Sequence, residues 1–341
     1  MEIIFGDVVT GVHGDGFEYL FSWQAGGPVS FKVGGREWLY RAPRPAVWRA
    51  TTDNDRGNGF PIKSAMWLGA DMFAACSKTE LSVDGETVVK PLSPDNNAYG
   101  GPVQAETMTM TYTYTLPVVP ATTVTVAYTV TPDGAIGVTV HYEGKEGLPE
   151  LPAFGLRFIM PTPAKGFTYE GLSGETYPDR MAGGEPGEYT VEGMPVTPYL
   201  VPQDCGMHMR TKRVTVTRDA VLDNSRRDER DEFSLTFAQA EGAEPFAFSC
   251  LPYTPEEIEN ATHHNELPPV RRTVLTVCGA VRGVGGIDSW GSDVRPDFHI
   301  DAQKDHEFTF VIKPRILVKI KVVFCACGGA NPDFSYENGG M

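Results

Sequence analysis

The chain predicts an all-β fold, a large antiparallel β-sandwich with one short helix, and three observations lead there. Side-chain polarity alternates with a period of two through segment after segment, the pattern of strands with one wet and one dry face. Glycine (37) and proline (27) are spread along the 341 residues rather than clustered, which suits many short strands joined by tight turns. Strands and helices do not alternate, and that excludes an α/β barrel or a doubly wound sheet.

Near the start, GDGFEYLFSW places Phe17, Tyr19, Phe21 and Trp23 on one face of a strand. IKSAMWLGADMFAAC is the one segment with helical spacing at useful length: Met66, Ala70, Phe73 and Ala74 share a face, with Trp67 beside them. ETMTMTYTYTLP then alternates most cleanly, with Met108, Met110, Tyr112, Tyr114 and Leu116 on one side and threonines on the other. VTVAYTV, the turn TPDGAIG and VTVHY read as a β-hairpin. Further strands are predicted around Arg157–Met160, Arg213–Arg218, Phe233–Ala238, Phe246–Cys250, Arg272–Cys278 and Glu307–Lys313. A short helical turn is expected at TPEEIENATHH, with Thr254 as its cap and Glu256 and Glu257 favouring its N-terminus. About fifteen or more strands of this kind make one large sandwich. With no internal repeat and no linker, residues 1–315 read as one domain. Residues 316–341, ending in CGGANPDFSYENGGM, read as a loosely held C-terminal extension.

A formal charge of −15 lacks the basic footprint that a phosphate backbone or an anionic membrane surface requires. The start, MEIIFGDVVTG, has no basic region followed by an apolar run, and no stretch approaches the ~20 apolar residues of a membrane span. The expectation is a soluble cytoplasmic protein. Its cysteines, at 76, 205, 250, 278, 325 and 327, then read as reduced thiols. Cys325 and Cys327 form a C-x-C pair, but no second pair has zinc-ligand spacing and His263–His264 is only a loose candidate. No metal is expected in this chain.

Four patches are dense in polar and aromatic residues: Trp48–Gly59 (WRATTDNDRGNG), Tyr169–Arg180 (YEGLSGETYPDR), Thr197–His208 (TPYLVPQDCGMH) and Val284–Val294 (VGGIDSWGSDV). Asp, Asn, Gly and Pro supply turn chemistry that holds side chains outward, and ordinary inter-strand loops use the same chemistry. Trp290 stands among Gly285, Gly286, Asp288, Ser289 and Gly291. An indole there either plugs the end of a sandwich or offers a stacking face to a ligand such as a sugar. Nucleophile elbows, P-loops, dinucleotide fingerprints and zinc-protease helices are missing from the sequence. A glycosidase carboxylate pair, which must sit about 5–9 Å apart across a pocket, cannot be read from spacing.

Taken together, the patches resemble the C-terminal domain of the large bacterial β-galactosidases, which some bacteria make as a separate small subunit. That family's pattern runs Trp-Arg-Ala-Pro-Thr-Asp-Asn-Asp, Gly-x-x-Glu-x-Tyr-Pro-Asp-Arg, Tyr-x-x-Pro-Gln-Glu-x-Gly and Gly-Gly-x-Asp-Ser-Trp. WRATTDND, GLSGETYPDR, YLVPQDCG and GGIDSW follow in the same order here, and GDGFEYLFSW is similar to the domain's first strand. The resemblance covers approximately residues 5–315.

The resemblance implies a galactose-mutarotase-like super-sandwich. It also implies a division of labour, in which no catalytic residue lies in this chain. Two catalytic glutamates, magnesium and sodium would belong to a large subunit built on an α/β barrel. This chain would complete the active site for hydrolysis of terminal β-D-galactosides such as lactose. Trp290 would contact substrate, and Asp53, Asn54, Asp55, Arg56, Gly57 and Asn58 would form a mobile loop at the active-site rim. Starting at Met1 and running almost at once into the first strand, the chain reads as a whole subunit. Departures from the pattern are Thr51 for Pro, expected to loosen the rim loop, Asp204 for Glu, Cys205 for Asn, and His208 near an expected Arg. A surface that covers a barrel should be apolar, so self-association is expected without the partner. The alternatives are a stand-alone carbohydrate-binding module and a mutarotase-like epimerase. The epimerase would need a His and a Glu converging in one groove, and the seven histidines show no such motif.

Overall fold

The computed structural model describes residues 1–94, 96 and 100–315. The extension 316–341, with Cys325 and Cys327, lies outside the described residues.

Three antiparallel sheets, of six, ten and five strands, carry the described fold. The ten-stranded sheet is its floor, running in the order Pro186–Glu192, Gly166–Leu172, Arg213–Arg218, Phe233–Gln239, His306–Pro314, Ile136–Tyr142, Thr122–Val130, Met108–Leu116, Ala75–Val83 and Glu86–Val88. Strict alternation of buried and half-buried residues along Met108–Leu116, Thr122–Val130 and Ile136–Tyr142 gives it one dry face. Threonines pair across the other face, as in Thr109–Thr129 at 2.9 Å and Thr139–Thr309 at 3.1 Å. The dry face meets both smaller sheets. Tyr128 packs on Phe21 of the six-stranded sheet, and Phe237 packs on Phe158 of the five-stranded one.

The five-stranded sheet, in the order Met207–Thr211, Phe246–Leu251, Thr273–Val281, Ala153–Met160 and Arg41–Ala46, positions the site. Its strands Ala153–Met160 and Phe246–Leu251 are buried along their whole length. The apolar sequences AFGLRFIM and FAFSCL say the same, since a strand covered on both faces does not alternate. One face meets the ten-stranded sheet. Across the other run the segment after Ala46 and a short helix, Pro255–Glu259. There Arg157 donates to Asp71 (2.6 Å), to Glu256 (3.3 Å) and to the Trp48 carbonyl (3.1 Å).

The all-β sandwich and the predicted strands are met, but the main helix lies elsewhere. The chain turns helical earlier, at α1 (Asp53–Asn58) and α2 (Phe60–Lys63), followed by a 3-10 turn at Ala65–Trp67. Gly59 and Gly69, at φ +78° and +75°, end these turns before one longer helix can form. Met66 and Phe73, expected inside, are exposed, and Trp67 alone of that stripe's large side chains is fully buried, its Nε1 donating to the Pro149 carbonyl at 3.1 Å. The Thr254 cap is met: α3 (Pro255–Glu259) begins with a capping box between Thr254 and Glu257.

Candidate functional site

The four polar patches, far apart in sequence, meet at one end of the sandwich. The first is α1, and its start follows from Thr52 and Asp55. The Thr52 hydroxyl accepts the Asp55 N–H (3.2 Å), and the Asp55 carboxylate accepts the Thr52 N–H (2.9 Å), a capping box with Asp in its third position. That Thr-x-x-Asp spacing was present in the sequence, and it is the signal that marks the segment as helix rather than loop.

Asp55 is not a rim residue. It is fully buried, its Oδ2 2.6 Å from Arg49 Nη1 and its Oδ1 3.0 Å from Arg282 Nη1. Burial alone would raise this carboxyl. The Arg49 charge and the bonds from Arg49 and Thr52 overcome burial and hold it below its ordinary value. Arg282, also fully buried, reaches Glu150 through Nε (3.1 Å) and Asp293 through Nη2, and lies over the Phe60 ring at 4.0 Å. Nothing local to Arg282 in the sequence distinguishes it from a surface arginine, and only its partners identify it.

The other patches join through side-chain bonds, some to backbone and some to other side chains. Asp53 N–H donates to Gln203 Oε1 at 2.9 Å, and Gln203 Nε2 returns a bond to Asp53 Oδ2 at 3.2 Å. Arg56 pairs with Asp53 (3.1 Å) and donates to the Pro202 carbonyl (3.3 Å). Asn54 Nδ2 donates to the Val284 carbonyl (3.0 Å), and Asn58 Nδ2 donates to Asp293 (3.3 Å). From the second patch, Asp179 accepts the Val284 and Gly285 N–H groups at 2.9 and 2.8 Å. Tyr177 donates to Asp204 at 2.7 Å. Gly57 sits directly against Gly291, where an added Cβ would stand 2.5 Å from the Gly57 carbonyl oxygen.

Trp290 is 88 % exposed, so the plug reading fails: the indole caps no core. Its loop is shaped from within by Asp288, which accepts the Trp290 and Ser292 N–H groups at 2.9 and 3.2 Å. Also exposed are Ile287 of the same loop, Tyr199 and Leu200 of the third patch, and Ile62, Leu68, Met72 and Phe73 after α1.

The departures in the third patch serve packing. Burial pushes Cys205 up to about 12 and His208 down to about 4, and the neutral His208 ring stacks on Phe248 at 4.9 Å. Burial pushes Asp204 up to about 6, against the pull of Arg49 and the Tyr177 hydrogen bond. Thr51 does the opposite of loosening the helix start. Its N–H and hydroxyl both donate to Glu259, at 2.6 and 2.7 Å, tying α1 to α3. A proline there would have no N–H to give.

A His–Glu pair does form near the site, but its groups are occupied. His299 contacts Glu150 through Nδ1 and the Val294 carbonyl through Nε2, and Glu150 also holds Arg282. Among the described residues no group of three or more His, Cys, Asp and Glu could hold a metal ion. Asp55, Glu150 and Asp293 are tied to guanidinium groups, and Asp179, Asp204 and Asp288 to backbone N–H or hydroxyl donors, so none of these carboxylates is left free to transfer a proton or attack a substrate. It is a hydrogen-bonded polar surface with one exposed indole, on a sandwich domain.

Comparison with known proteins gives that surface its family. The chain belongs to the beta galactosidase small chain family, which matches residues 13–312. It is 60% identical over 312 residues to the beta-galactosidase small subunit of Latilactobacillus sakei, covering 92% of this chain and 97% of that one. It is 32% identical to a beta-galactosidase of Streptococcus thermophilus and 34% identical to one of Lactobacillus delbrueckii subsp. bulgaricus. Those alignments cover 92% and 93% of this chain but only 28% of each longer relative. Among solved structures, a galactose mutarotase related enzyme from Lactobacillus acidophilus aligns over 90% of this chain and 97% of that one, at 10% identity and a TM-score of 0.41. The family resemblance carried by the four motifs is met.

Proposed function

We propose that this chain is the non-catalytic half of a two-chain β-galactosidase, completing the active site of a large subunit that hydrolyses terminal β-D-galactosides such as lactose. The observation that carries this reading is the contrast at the site: the carboxylates of Asp55, Glu150 and Asp293 are bound to buried arginines while one indole stands out in solvent. Glycoside hydrolysis needs a nucleophilic carboxylate and a proton-donating one about 5–5.5 Å apart in a retaining enzyme. Asp55, bonded to Arg49, Arg282 and Thr52, can supply neither role. Both glutamates, with the magnesium and sodium, would lie in the large subunit, as the family resemblance implies.

What this chain contributes is position. The Trp290 indole would stack on the apolar C–H face of the sugar, and α1 would border the same pocket through Asp53, Asn54, Arg56, Gly57 and Asn58. An exposed indole offers one wall, and the partner would supply the others. Exposed Ile62, Leu68, Met72, Phe73 and Leu200 would be covered in the complex. Cytoplasmic residence belongs to the same reading and is supported by the free cysteines 76, 205, 250 and 278.

Reconstitution tests this. The purified chain is expected to leave a chromogenic galactoside intact, and adding the cognate large subunit should restore turnover that a chelator then reduces. Turnover by the chain alone would overthrow the division of labour. Sedimentation of the lone chain should show self-association, and a strict monomer at high concentration would count against the covered apolar face.

A further inference from the structure

We infer that Asp293 is a positioning residue for Trp290, setting where the indole stands relative to α1. The inference rests on the reading that Trp290 meets substrate, and it assigns a role to a residue outside the Gly-Gly-x-Asp-Ser-Trp motif.

The loop from Val284 to Val294 is glycine-rich, with Gly285, Gly286 and Gly291 at φ +69°, +78° and +82°. Such backbone is soft unless both stems are fastened. The first stem is held by Asp179 and Asn54 on Val284 and Gly285. Asp288 ties only the loop to itself, fixing its shape but not its placement.

Placement at the second stem falls to Asp293. Its Oδ1 meets Arg282 Nη2 and accepts Asn58 Nδ2 at 3.3 Å, while Oδ2 lies 3.7 Å from Lys63 Nζ. One carboxylate thus touches α1, α2 and the buried arginine that also holds Asp55 beneath α1. Its own Val294 N–H and the Arg282 charge keep it ionised against the opposing effect of burial. The Gly57–Gly291 contact lies beside this tie and leaves no room for a side chain on Gly291. Arg282 is locked in turn by Asp55 and Glu150, so the tie ends in a fixed point.

The test is Asp293→Asn, which keeps the shape and removes the charge, in the full chain reconstituted with the large subunit. KM for a chromogenic galactoside should rise about three- to ten-fold with kcat within about two-fold, the signature of lost ground-state positioning. In a Trp290→Ala background the same substitution should change KM by less than about 1.5-fold, because coupled residues do not add. An equal rise in both backgrounds, or no rise in the first, overturns the inference. Should Trp290→Ala itself leave KM unchanged, the substrate reading fails, and fluorescence decides the positioning role separately. The other four tryptophans, 23, 38, 48 and 67, are buried, so the exposed indole is read as the difference from Trp290→Ala. Time-resolved anisotropy of the full chain should then show a larger fast component in Asp293→Asn, and an unchanged decay would sink the inference. If circular dichroism shows Asp293→Asn unfolded, Asn58→Ala cuts the α1 side of the tie, together with the bond that Asn58 Oδ1 accepts from the Phe60 N–H. It should move KM and anisotropy in the same directions by smaller factors, and no movement in either overturns the inference.

Discussion

Asp55 and Trp290 belong to neighbouring segments that touch through a pair of glycines, yet one is fully buried and the other 88 % exposed. Around Asp55, side chains are locked: two guanidinium groups, a threonine cap and a phenylalanine face occupy its surroundings. Around Trp290, the Asp288 carboxylate holds the loop's shape, and the indole itself is left uncovered. The difference separates two jobs that the polar residues of the first and fourth patches could have shared. The buried charges give the region a fixed base, and the exposed indole is carried on it as the part that, in the proposed function, would meet the sugar. A buried ion network of this kind is weak evidence of net stability, but removing one member strands the rest.

The largest effect should come from breaking the base. Arg282→Met would leave Asp55, Glu150 and Asp293 each short of one partner. A loss of about 3–5 kcal/mol is expected, read by urea or thermal unfolding. Arg282→Lys should recover part of it, and a loss under about 1 kcal/mol would show that the base is not rigid.

Next in size is a pH dependence centred on Asp204. Burial raises this carboxyl from 3.8 to about 6, so the folded state binds its proton more tightly than the unfolded one. The stabilisation is full below about 3.8 and is lost as pH rises through about 6. A fall on the order of 2 kcal/mol between those values is expected. Asp71 is raised in the same direction by burial, so the informative quantity is the difference between the native chain and Asp204→Asn, which still accepts from Tyr177. Parallel stability curves for the two would refute the assignment.

Thr51 sharpens the comparison at the other end of α1. Replacing it with the family's proline removes both donors to Glu259, and a cost of about 1–2 kcal/mol in denaturant unfolding is expected. A neutral or stabilising Thr51→Pro would mean that a fixed φ outweighs the tie to α3.

The sandwich was legible because its signal is repeated locally. Every second residue of Met108–Leu116 declares its face, and Thr109 and Thr129 need no knowledge of the rest of the chain to face solvent. The site was legible only as four quoted motifs, and three of its parts were misread. The helix was placed on the stripe of Met66 and Phe73, because periodicity cannot tell a face that meets the core from one left open to a partner. Asp55 was grouped with the rim because the resemblance assigns the whole segment 53–58 there, whereas its Thr52 cap and two arginines turn it inward. Arg282 and Glu150 were missed altogether, since a buried ion pair between residues 132 positions apart has no local pattern.

The smallest stability effect should fall on Trp290→Ala. An indole this exposed contributes little to folding, so unfolding should shift by no more than about 0.5 kcal/mol. If it stacks on the sugar, the same substitution should raise KM about ten-fold in the reconstituted enzyme, the equivalent of about 1.4 kcal/mol. A structural residue would show the reverse proportion. The ratio of the two effects therefore measures how completely the region has divided its work. A large KM change with an unmoved transition places recognition on the loop, and a moved transition with an unmoved KM returns Trp290 to the scaffold that Arg282 anchors.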